Sequence, residues 1–130
     1  MARETLQIEM QIDGCSQRMR KIEEALEGLR AFRWELSQSH ENFHRWVAQT
    51  DNSAMRASEL AGVRMGARYA QRVHDALHDE LMPGIGHGFE GIACEVDGAE
   101  RRLSDELERL HAQRMDLMHA LDAQAQGRPR

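Results

Sequence analysis

Aromatic residues make up only 5% of this 130-residue chain, which also has two prolines and a single lysine, Lys21. So few rings leave little to fill a thick globular core or a deep dry pocket; thin helices sharing a seam fit better. Positive charge is not in excess either. The formal net charge is −5, which disfavours a nucleic-acid duplex or an anionic membrane surface as the main target. Long hydrophobic runs are missing: residues 1–10 carry no signal-peptide core, and no segment approaches membrane-spanning length. The expected location is the cytosol, or export by a route that needs no cleaved leader. Two cysteines, Cys15 and Cys94, fix no redox compartment. Cys15 reads as a small buried apolar residue.

What the chain does have is a long apolar stripe. Ile8, Ile12, Cys15, Met19, Ile22, Leu26, Leu29, Arg33, Leu36, His40, Phe43 and Val47 follow in steps of four and three, and all but Arg33 and His40 are apolar. That period puts one narrow seam along one helix, the pattern of a coiled coil. It predicts a helix over residues 3–49 that must be covered by another helix. Arg33 either snorkels past the seam edge or forms a polar layer within it. Phe32, Trp34 and Trp46 flank the seam and widen its apolar face, with core packing the first reading and interface anchoring the second.

Thr50-Asp51-Asn52-Ser53 reads as a linker that caps a new helix, expected over residues 54–82. In that helix Ser58, Gly62, Gly66 and Ala70 recur every four residues and would let a neighbouring backbone approach closely. Pro83, Gly84, Gly86, Gly88 and Gly91 predict a bend. The seam resumes through it at Ile85, Phe89, Ile92 and Val96, then at Leu103, Leu107, Leu110, Leu117 and Leu121. A last helix is expected over 85–124, with a flexible tail at 125–130.

The fold class is therefore all-α: a long antiparallel helical hairpin or coiled coil, its second arm bent at Pro83–Gly91, in one domain. A three-helix bundle is the alternative. With the turn near residues 51–52, everything beyond about residue 100 would overhang the first helix. Leu103, Leu107, Leu110, Leu117 and Leu121 would then form an exposed stripe that a second chain must cover. The expected partner interface comprises these leucines together with Leu29, Phe32, Leu36, Phe43 and Trp46.

Motifs that look chemical read as helix-surface features. His40-Glu41-Asn42-Phe43-His44 matches H-E-x-x-H, but His40 lies on the seam, Glu41 points away, and no sheet edge is present to hold a peptide. The Glu41/His44 and Glu108/His111 pairs do not complete the inward-facing ligand set of a di-iron bundle. His74 and His78 form another one-turn pair, read as exposed helix-face histidines. Gly86-His87-Gly88-Phe89-Glu90-Gly91 spells G-x-G-x-x-G without the preceding strand that a nucleotide site needs. No catalytic, cofactor-binding or metal-ligating set is expected, and zinc at His40 and His44 is the minor alternative.

Around Leu60-Ala61-Gly62 and Tyr69 the chain resembles the small helical-hairpin (W-x-G-like) proteins of type VII secretion. The likeness is greatest to the helical partners associated with LXG toxins, whose end pattern is seen here from Glu100 to Leu121. The resemblance makes Leu60, Gly62 and Tyr69 a turn motif, with Leu60 at the motif tryptophan and Gly62 at the motif glycine. Val73 stands where the Y-x-x-x-D/E export signal has its acidic residue. What the resemblance implies is a non-enzymatic bacterial targeting factor or chaperone that pairs with the helical domain of an LXG-type toxin or a second small helical protein. A homo-oligomeric structural coiled coil is the alternative.

Overall fold

A computed structural model describes residues 2–61 and 64–127, with the side chains of residues 60 and 61 also outside the description. The described residues are helical almost throughout, and no strand occurs among them. Helix α1 spans Ala2–Ala61 and α2 spans Arg64–Asp75; a π-helical segment, Ala76–Leu81, leads directly into α3, Met82–Gln126. The fold is an all-α helical hairpin, whose contacts group into two units. One comprises Met1–Ala31 with Asp97–Arg130, the other Phe32–Val96.

The expected linker at Thr50-Asp51-Asn52-Ser53 is instead four more residues of α1. Packing overrides the capping propensity of these residues: the stripe runs on from Val47, 3% exposed, past half-buried Thr50 to Ala54, 4% exposed. The bend expected at Pro83–Gly91 is also helical. Within the π-helical segment the turn widens, and the Met82 N–H donates to the Leu77 carbonyl, five residues back. A wider turn relieves the clash of a proline ring with the carbonyl four residues earlier, so Pro83 sits in the first turn of α3 without breaking the helix.

The longer first helix moves the register. In the first unit Thr5 Oγ1 donates to Gln124 Oε1 (3.1 Å), Gln124 Nε2 to Glu4 Oε2 (3.4 Å) and Arg114 Nη1 to Ser16 Oγ (3.4 Å). The leucine stripe of α3 thus lies along the N-terminal half of α1 instead of overhanging it. Leu110, 4% exposed, packs with Cys15 and Met19, and Ile22, Leu107 and Leu117 close around them. Leu110 belongs to the chain's own core, where its side chain contributes about 2 kcal/mol of burial. Leu29, Leu103 and Leu121 are half-buried along the same seam.

In the second unit Val47, Ala54, Gly66, Leu77 and Val96 are buried. Gly66 falls in the four-residue stripe of small side chains and supports a close backbone approach there. Gly62, in the same stripe, lies outside the described residues.

Candidate functional site

The second unit gathers the aromatic and imidazole rings. His40 stacks on Phe89 of α3, ring centroids 4.6 Å apart, and meets His44 one turn along at 4.5 Å. Phe43 stacks on Trp46 at 6.1 Å. At about 100° per residue, Phe32, Phe43 and Trp46 share one side of α1, and Trp34 lies on the other. Leu36 and Phe43 are half-buried, whereas Phe32, Trp46 and Trp34 (66%) are exposed. The flanking rings therefore do not fill a core; they lie open to solvent. Arg33 is exposed too. Met55, Met65, Tyr69 and Ile92 add further exposed apolar surface in this unit.

The H-E-x-x-H histidines are close together, with one Nε2–H donating to the other Nε2 at 3.0 Å. Glu41 is exposed, and His40 spends its face on Phe89. Glu108 and His111 are exposed in the first unit and Glu41 and His44 in the second, so the two E-x-x-H pairs do not converge within either. Gly86–Gly91 forms one and a half turns of helix α3, not a phosphate-binding loop.

A second constellation joins a residue read as a cap to a pair read as surface histidines. Asp51 of α1, His74 of α2 and His78 of the π-helical segment are the only three His, Cys, Asp or Glu side chains among the described residues whose ligand atoms converge, all within 4.8 Å. His78 Nε2 donates to Asp51 Oδ2 at 2.5 Å, His74 Nδ1 lies 3.6 Å from Asp51 Oδ1, and the imidazoles are 4.2 Å apart. The His78 hydrogen bond is the main cause holding the Asp51 carboxyl below its ordinary value; partial desolvation acts against it, and the charges of His78 and His74 add to the lowering. An antiparallel register with its turn near residues 51–52 placed both histidines far from Asp51. The available signal was the one-turn histidine pair together with an acidic residue at a seam-facing position.

Helix α1 is described as far as Ala61 and α2 from Arg64; Leu60 is in the last described turn of α1, and the side chain of Tyr69 on α2 is 55% exposed. Of the motif residues, Gly62 lies outside the described residues. No helix among the described residues is long and apolar enough to cross a membrane. The class defined by these features is a two-armed helical hairpin with aromatic side chains open to solvent. Comparison with protein-family models, with curated proteins and with solved structures finds no match.

Proposed function

We propose that the chain is a non-enzymatic helical partner protein whose second unit docks onto a long helix of another chain. The observation that carries this is the solvent exposure of Phe32 and Trp46 on one side of α1 and of Met65 and Tyr69 on α2, with no further layer among the described residues to cover them. Aromatic side chains and methionine are the types that concentrate at interface centres, where tryptophan and tyrosine supply much of the binding energy.

In its narrower form, the partner is the helical domain of an LXG-type toxin, and the chain serves as a type VII secretion targeting factor or chaperone. Two features support that form: Leu60 lies in the last described turn of α1, and α3 extends as far as Gln126. Co-expression with the helical domain of a toxin encoded beside this chain tests it. A stable two-chain complex that weakens in Phe32→Ala and Trp46→Ala is the expected result; no complex with any neighbouring product would count against the proposal. Self-association through the same exposed rings is the second reading. It is distinguished by a symmetric homodimer in sedimentation.

A further inference from the structure

The constellation of Asp51, His74 and His78 goes beyond partner docking. We infer that these three side chains form a binding site for a divalent transition-metal ion, with zinc the best-matched example, that ties α1 to the π-helical segment. Three observations carry this together: the donor set, the spacing and the backbone.

Two imidazoles and one carboxylate form a borderline-soft set that favours zinc and its first-row neighbours over magnesium or calcium. The spacing is close to what such an ion needs. With bonds of about 2.0–2.1 Å, tetrahedral ligand atoms lie roughly 3.3 Å apart. Here Asp51 Oδ2 and His78 Nε2 are 2.5 Å apart, Asp51 Oδ1 and His74 Nδ1 are 3.6 Å apart, and no ligand-atom pair in the set exceeds 4.8 Å. An ion between them would replace the proton now shared by His78 and Asp51. His74, more than half exposed, has room to swing inward.

The backbone is the independent feature. His78 sits inside the π-helical segment, and His74 lies in the last turn of α2 just before it. Wide turns of this kind are uncommon and recur at functional sites. Here the two rings stand 4.2 Å apart, where the wide turn begins, beside a carboxylate from the other arm. An ion held by both arms within this unit would close the segment between Asp51 and His78, lowering the entropy of the unfolded chain. Water or a partner's side chain would complete the coordination.

The test is calorimetric titration of the full chain with zinc chloride alone, after treatment with chelator, followed by cobalt substitution read by visible absorption. One ion per chain is expected, with affinity falling at least tenfold in Asp51→Asn and in His78→Ala, and a ligand-field band that disappears in both. A His40→Ala/His44→Ala variant, which removes the other close pair, is expected to bind as the parent does. Circular dichroism of each variant verifies that the helices remain. The inference is overturned by the absence of saturable binding to the folded chain, by binding that survives Asp51→Asn, or by binding lost only in the His40/His44 variant. None of these outcomes depends on whether a helical partner is found.

Discussion

The two units use the same two arms in different ways. The first closes an aliphatic seam on itself: Cys15, Met19 and Leu110 are buried, with Ile22, Leu107 and Leu117 around them. The second has small or aliphatic residues buried at Val47, Ala54, Leu77 and Val96, while its tryptophans and tyrosine face water. It also contains the π-helical segment and the Asp51–His74–His78 contacts. Side chains that would strengthen a core most are those left outside it in the second unit. That is the distribution expected if the first unit holds the hairpin together and the second is shaped for recognition.

The sharpest contrast is in stability. Leu110→Ala removes a buried side chain from the first unit and should cost about 2–5 kcal/mol, read as a lower urea midpoint at unchanged slope. Trp34→Ala, at an exposed position in the second, should stay within about 0.5 kcal/mol of the parent. Equal losses at the two positions would erase the distinction.

Partner affinity should show the reverse order. Each of Phe32→Ala and Trp46→Ala is expected to weaken a two-chain complex by about 2 kcal/mol, roughly thirtyfold, while leaving helicity intact. The measurement is a titration followed by calorimetry. A complex indifferent to both would move the interface away from these rings.

Glycine substitutions sharpen the comparison at a smaller scale. A Cβ added at Gly88 or Gly91 in the second unit, or at Gly14 or Gly28 in the first, meets no atom within 4 Å. Alanine at any of them should therefore raise stability by up to about 1 kcal/mol, seen as a higher melting temperature. If a partner's backbone lies against the second unit, Gly88→Ala and Gly91→Ala should also reduce its affinity, and Gly14→Ala and Gly28→Ala should not. A small effect is also expected for Asp51→Asn in the metal-free chain, where solvent screens the contact with His74 and His78, so the melting temperature should be nearly unchanged.

Much of this architecture was readable from periodicity. The four-three stripe from Ile8 to Val47 predicts the helical seam, and the leucines from Leu103 to Leu121 predict the matching one. Helix ends were not readable, because local and tertiary preferences disagree there. Thr50-Asp51-Asn52-Ser53 has the composition of a cap, yet Val47 and Ala54 pack on either side of it and carry the helix through. Pro83 and its glycines have the composition of a bend, yet the widened turn before them absorbs the proline. Displacing the turn moved every cross-arm pair. Asp51 was consequently read as a capping residue and His74 and His78 as surface histidines, although local sequence already showed their one-turn spacing. The exposure of Trp34 was legible in the helical wheel, which puts it across α1 from Phe43; that of Phe32 and Trp46, at the seam edge, depends on what the other arm presents.

The central claim, that the aromatic surface of the second unit is reserved for another helix, is most directly tested by intrinsic tryptophan fluorescence, since Trp34 and Trp46 are the only tryptophans in the chain. The isolated protein should emit as water-exposed indole at all concentrations, and shift to the blue in proportion to added helical partner until the complex saturates. Emission already shielded in the dilute, isolated chain, or no shift on formation of a stable complex, would contradict it.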